Sequence, residues 1–248
     1  MRAPPAPPVR TPIMIQQWRL LTFVHWRYPA DVVQSLLPEG LRVQTFDGDA
    51  WIGLVPFLMH GVRPPGLPGL PWLSRFPETN VRTYVSGADG GSGIWFFSLD
   101  AARLPAVLAG RAGFGLPYCW SSMAVQAAGG QLIYHSDRRW PTPPGARCAA
   151  RVEIGRRFDD DELGPLDHFL TARFRLYSVL AGRLVAADAE HGPWPLFRAR
   201  LDHLDQGLLQ AAGLPAPEGV PLLHASPGVR VRIGRWRPVP TLDTHPVA

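Results

Sequence analysis

Glu78, Asn80, Arg82 and Tyr84 stand at every second position of the segment 76–85, with Thr79, Val81, Thr83 and Val85 between them. β-Branched residues favour extended backbone, so this pattern predicts a strand with one apolar and one polar face. The polar row has the groups for chemistry on a small oxo compound. A guanidinium grips a carboxylate or phosphate. A desolvated Glu serves as acid or base near neutral pH, and a Tyr hydroxyl donates to a carbonyl or enolate oxygen. The row does this only if it faces a cavity inside the protein. Facing water it is a solvated surface; facing other strands it is a structural ion-pair network. Glu78 and Arg82 lie about 13 Å apart along an ideal strand, so each would meet groups on neighbouring strands.

Other chemistry is excluded by what the chain lacks. All 25 basic residues are Arg, and there is no Lys. Schiff-base catalysis needs a primary amine, and the chain's only one is the α-amino group of Met1. The eight His show no His-x-His or His-x-x-x-His spacing, and Cys119 and Cys148 show no metal or redox spacing, so neither a metal nor a cofactor is expected. The acidic run Asp159–Glu162 reads as a solvated helix start. The net charge is +5, but the arginines are scattered, which argues against nucleic acid. No apolar run has the length to span a bilayer, and the Pro-rich residues 1–12 lack a signal core; a disordered tail, no membrane contact and a cytoplasmic, reducing setting are expected.

The elements that would position the row follow from pattern. Strands are expected over 14–28, 41–46 and 50–59, with a short helix over 29–37 and an Asp47-Gly48 hairpin joining the second and third strands. The Pro- and Gly-rich stretch 62–77 reads as a packed lid. A central strand at 94–99, a helix at 102–112, a hairpin over 118–127 and 131–139, and a strand over 147–158 come next. A helix at 166–173, a hairpin over 175–180 and 183–189, a helix near 202–212 and a strand over 228–236 complete the chain. This predicts one α+β, β-rich domain over 13–240: a curved antiparallel sheet or barrel around an internal pocket, with a few short helices.

The segments Phe76-Pro77-Glu78-Thr79-Asn80-Val81-Arg82-Thr83-Tyr84-Val85, Trp95–Asp100, Phe169–Phe174 and His191-Gly192-Pro193-Trp194-Pro195-Leu196 together resemble the uncharacterised YqjF-like family, itself similar to acetoacetate decarboxylase. The resemblance runs from about Met14 to Trp236 and implies a β-rich fold wrapped around a buried pocket. It implies that Arg19, by its spacing to Leu37-Pro38-Glu39-Gly40-Leu41, and Glu78 keep decarboxylase positions. The decarboxylase's Lys-Lys pair would fall at Gly115-Leu116-Pro117-Tyr118-Cys119, where no lysine stands.

These positions make Glu78, Arg19 and Tyr118 the candidate catalytic residues and Arg82, Tyr84 and His25 the candidate substrate-binding residues. His25 shares the face of Arg19 if no bulge intervenes. Their ordinary structural roles stand beside this: Tyr118 as a packed aromatic, Asn80 as a side chain bonded to backbone, His191 as a buried histidine, Cys119 as an inert thiol. Three functions remain open. One is a lyase, isomerase or hydratase without metal or Schiff base, acting on a small anionic oxo compound. The second is a non-catalytic small-molecule binding or sensing protein. The third is an interaction protein using an apolar patch around 62–76. A homo-oligomer is compatible with each.

Overall fold

The computed structural model describes residues 6–141, 146–159 and 161–240. In chain order the strands are β1 (Met14–Tyr28), β2 (Leu41–Val43), β3 (Ala50–Arg63), β4 (Arg75–Gly87), β5 (Ser92–Ala101), β6 (Tyr118–Ala128), β7 (Gln131–Trp140), β8 (Arg147–Arg157), β9 (Arg175–Leu180), β10 (Arg183–His191), β11 (Phe197–Gln206), β12 (Leu222–Ile233) and β13 (Arg237–Pro238). The helices are short: α1 (Ala30–Ser35), α2 (Leu104–Phe114), α3 (Pro165–Thr171) and α4 (Leu208–Ala211). All thirteen strands belong to one sheet.

That sheet closes twice because two of its strands share an edge between two partners. β5 pairs along one edge with β4, and along the other with β9 at Ile94–Trp95 and with β6 at Leu99–Ala101. β12 pairs with β1 on one edge, and with β11 and β10 on the other. A common wall, β12-β1-β3-β4-β5, therefore closes through β9 and β10 into a ring of seven strands, and through β6, β7, β8 and β11 into a barrel of nine.

The common wall explains β4. Glu78, Asn80, Arg82 and Tyr84 face the seven-stranded ring; Thr79, Val81, Thr83 and Val85 face away, and all eight are buried. Val81 packs in the nine-stranded barrel with Val24, Ile52, Leu54, Leu132 and Val152. On this side Asp100 receives Arg138 Nε at 2.9 Å and Nη2 at 2.7 Å, and Ser121 Oγ at 2.7 Å. This two-point pair ties β5 to β6 and β7.

One irregularity decides which way β1 points its side chains. Arg19 pairs with Leu58 and Val24 with Leu54, so β1 has one residue more than β3 across this stretch. The extra residue is Leu20, at φ 49°. Upstream of it Gln16 and Trp18 face the seven-stranded ring; downstream Leu21 and Phe23 do. A left-handed Leu costs about 1–2 kcal/mol, less than the roughly 4 kcal/mol gained by burying Leu21 and Phe23. The partner strand bends with it. Gly228, opposite Arg19, has φ 118°, and a Cβ there would stand 1.8 Å from the Trp18 carbonyl oxygen.

Several expectations are corrected. Asp47 and Gly48 do make a tight turn, at φ 53° and 87°, but it closes only a Phe46–Asp49 bridge. β2 pairs with β4 instead of β3, occupying the edge of β4 that β3 leaves free beyond Thr83. The helix expected near 202–212 is mostly the strand β11, whose Phe197, Ala199 and Leu201 alternate with Arg198, Arg200 and Asp202. Only Leu208–Ala211 is helical. β3 and β4 shorten the lid to residues 64–74. Of the expected tail, residues 1–5 lie outside the described residues, and Val9 is buried with its N–H donating to Glu190 Oε2 at 2.7 Å.

Candidate active site

A cavity of about 420 Å³ opens on the inner face of the seven-stranded ring. Its walls are apolar: Trp18, Phe57, Phe96, Leu99, Leu176 and Ile233, with loop 64–74 and α2 on the outer side. The bulge in the β4–β5 ladder at Phe97 lets Phe96 and Leu99 both face this space. Among this apolar surface stand a few polar groups, chiefly Gln16, Glu78, Asn80 and Tyr118, with Arg63 among the lining residues of the outer strand end.

Glu78 is 2% exposed. Burial disfavours its charged form and pushes the carboxyl from the ordinary 4.5 up to about 8. Hydrogen bonds from Tyr118 and Asn80 pull it back in part, and the charge of Asp100 behind the wall adds to the rise. Tyr118 Oη donates to Glu78 Oε2 at 3.2 Å, and burial together with Glu78 holds that phenol well above 10. Both groups are therefore mostly protonated at neutral pH. Their neighbours leave hydrogen-bonding capacity unused: Asn80 Oδ1 and the indole nitrogens of Trp18 and Trp236 are buried without a partner. A site of this kind suits a neutral, largely apolar molecule bearing one or two oxygens.

Arg82, Tyr84 and His25 continue the inward row but do not line the cavity. They form a closed polar cluster. Tyr84 Oη donates to the Leu170 carbonyl at 2.7 Å, so His25 Nε2, at 2.6 Å, carries the proton it gives to Tyr84. Burial and the nearby Arg82 hold His25 well below 6.5, hence neutral. Arg82 has no carboxylate partner among the described residues; its Nη2 donates to Leu170 O at 3.2 Å and its plane lies over Phe23 at 5.2 Å. Arg173 donates to Phe169 O at 2.7 Å and lies over Tyr84. The carbonyls at the end of α3 thus take the place of a counter-ion for both guanidiniums. The cluster fits together because Gly53 lies between His25 and Arg82 in register: a Cβ there would come within 2.9 Å of His25 Nε2.

Arg19 is not in the site. It lies just before the bulge and is exposed, and among the described residues its side chain has no hydrogen bond or ion pair. The same bulge separates it from His25, which is fully buried. The expected meeting of Arg19, Glu78 and Tyr118 is thus realised only for Glu78 and Tyr118. Cys119 is buried beside Tyr118 with its thiol pushed up to about 11. His191 bonds the carbonyls of Gly192 and Arg173. No group of three His, Cys, Asp or Glu among the described residues could hold a metal. Sequence reasoning missed Gln16, Trp18 and Trp236 as lining residues and assigned Asn80 to backbone; the polar row on β4 was the one signal that pointed to Asn80.

The closed β-rich barrel is acetoacetate decarboxylase-like in fold. The enduracididine biosynthesis enzyme MppR, complexed with the condensation product of pyruvate and imidazole 4-carboxaldehyde, matches with a TM-score of 0.67 at 16% identity, over 94% of this chain and 92% of that one. Acetoacetate decarboxylase from Legionella pneumophila matches with a TM-score of 0.67 at 11% identity, over 96% and 93%. At these identities the likeness is one of fold. The chain belongs to the DUF2071 family, described as an uncharacterized conserved protein, whose model matches residues 15–230. It is 37% identical over 212 residues to the uncharacterized protein YqjF of Bacillus subtilis (strain 168), covering 86% of each.

Proposed function

We propose that the cavity binds a neutral, largely apolar carbonyl compound and that Glu78 moves a proton on it. The observation that carries this reading is a buried carboxyl, hydrogen-bonded to a phenol in an apolar hollow, where burial pushes it up to about 8. A carboxylate of that basicity removes a proton from carbon far better than one near 4.5. In the step, the Glu78 carboxylate takes the proton α to the carbonyl, the C–H electron pair forms the C=C bond, and the carbonyl π pair moves to oxygen. Tyr118 O–H donates to that oxygen as its charge grows. Exchange of the proton on Glu78 with solvent, followed by its delivery back to the same carbon as the enolate oxygen re-forms the carbonyl, completes an exchange; delivery to a different carbon of a conjugated enolate completes an isomerisation.

The ligand is drawn as neutral because Arg19, the cation expected to hold an anion, is exposed outside the cavity, and Arg63, at its outer end, donates to the Gly61 carbonyl at 3.1 Å. The relatives fit carbonyl chemistry: the MppR complexes contain pyruvate and its condensation product. No lysine amine is available to form a Schiff base with the carbonyl. Two free thiols, Cys119 and Cys148, agree with a cytoplasmic, reducing setting.

The test is deuterium incorporation from heavy water into benzylacetone, a neutral aryl ketone. Exchange that rises with pH through about 8 and vanishes in Glu78→Gln supports the reading. Exchange equal in both proteins removes it. A second reading, a binding protein without turnover, is favoured by one fact: Glu78 is the single carboxyl group among the cavity's described lining residues, so no second carboxylate stands ready. Thermal stabilisation by benzylacetone with no exchange selects it.

A further inference from the structure

The exposed apolar side chains are concentrated at one place. Of the eight large hydrophobic residues exposed among the described residues, Leu67, Leu70, Trp72, Leu104 and Leu108 lie on loop 64–74 and α2. A sixth, Trp140, is covered by the Arg111 guanidinium of α2 at 5.0 Å. Loop and helix are joined: Arg103 Nε donates to the Trp72 carbonyl at 3.1 Å, and its guanidinium lies 4.7 Å from the Trp72 ring. Leu70 both lines the cavity and is 61% exposed, so the cavity opens within this patch.

The two stretches that form the patch carry charge of one sign. Residues 61–77 and 101–120 carry Arg63, Arg75, Arg103 and Arg111, with Glu78 just beyond, and neither stretch contains Asp or Glu. Few of the loop's backbone donors need to be desolvated at a headgroup boundary. Pro64, Pro65, Pro68 and Pro71 have no backbone N–H to desolvate, and the N–H groups of Leu67 and Ser74 are already bonded to Pro64 O and Leu70 O.

We propose that loop 64–74 and the outer face of α2 form a docking surface for an anionic lipid membrane, from which an apolar ligand passes directly into the cavity. Leucines and tryptophans enter the headgroup–acyl boundary while the arginines at their edges meet lipid phosphates. A protein docked here would seal the opening, whereas a lipid surface holds apolar compounds at the mouth. That no helix among the described residues is long and apolar enough to cross a membrane does not bear on peripheral attachment, and the expectation of no membrane contact is here replaced by a proposal. The proposal rests on the cavity taking an apolar ligand, not on Glu78 acting on it.

The test is co-sedimentation of the full chain with vesicles of phosphatidylcholine and phosphatidylglycerol in equal parts, against phosphatidylcholine alone. Binding is expected to the mixed vesicles, weaker at high salt. Leu67→Ser combined with Leu108→Ser should weaken it by about tenfold or more, and Arg75→Ala severalfold. All three positions are exposed, and unchanged circular dichroism and Tm would show that the variants fold. No binding to the mixed vesicles, binding that both variants retain, or a self-associated protein that the double variant dissociates while vesicles stay unbound overturns the proposal. Vesicle binding by a protein that exchanges no deuterium supports the surface and counts only against the proton-transfer step.

Discussion

Glu78 and Asp100 are carboxylates of adjacent strands on opposite faces of one wall, and only Asp100 has a cation. Glu78 pairs in register with Ala101, and Thr79 with Asp100, so the two acids stand one residue apart and point away from each other. Asp100 is gripped by Arg138; Glu78 meets a phenol and an amide.

That asymmetry makes stability depend on pH with a definite sign. In the native state Glu78 binds its proton up to about 8, in the unfolded chain only to about 4.5. Between these values the native state holds more protons, so its stability falls as pH rises. The loss approaches about 5 kcal/mol once pH exceeds the native value. Glu78→Gln should remove this slope and be the more stable protein at alkaline pH. Urea titrations of both proteins across the window check it; parallel curves contradict it.

Tyr118→Phe should raise the Glu78 titration further, because the hydroxyl it removes stabilises the carboxylate. A hydrogen bond to a charged group is worth roughly 1.5–3 kcal/mol, which converts to a rise of about 1–2 units. Infrared titration of the carboxyl band reads it directly, and a fall in midpoint would refute the assignment.

Asp100→Ala should destabilise by about 3–5 kcal/mol, since it leaves the Arg138 guanidinium buried and unpaired. Replacing both, Asp100→Leu with Arg138→Met, should recover most of that loss. A double-mutant cycle in urea measures the coupling.

Gly53→Ala should cost about 1–3 kcal/mol, because its methyl meets His25 Nε2 at 2.9 Å and Arg82 Cγ at 3.5 Å in a packed interior. A lowered Tm with displaced His25 ring resonances is the expected result; an unchanged His25 spectrum would mean the contact is slack.

Arg19→Ala, by contrast, should change stability by no more than about 0.5 kcal/mol and leave deuterium exchange intact. Loss of exchange in this variant would return the guanidinium to the site.

Much of this was legible in residue pattern. The alternation of Glu78, Asn80, Arg82 and Tyr84 with β-branched residues marked β4 and its inward face, and Asp47-Gly48 marked a turn. The side on which Arg19 lies was not legible, because it depends on Leu20 adopting φ 49°, a conformation nothing about leucine announces. The pairing of β2 depends on which edge β3 leaves open, a long-range fact. β11 was misread because the apolar run Leu208–Ala212 outweighed the alternation of Phe197, Ala199 and Leu201 just before it. The hydrogen bond from Arg82 to the Leu170 carbonyl at the end of α3 joins residues 88 positions apart and has no local signature.

One wall, β12-β1-β3-β4-β5, belongs to both rings. Neither hollow can come apart while the other stands, since each would strip half the cover from strands the other still needs. Heat or urea should therefore disassemble the molecule in a single cooperative event despite its two apolar centres. The amide hydrogens of β3 and β4, shielded from both directions, should be the slowest to exchange with solvent.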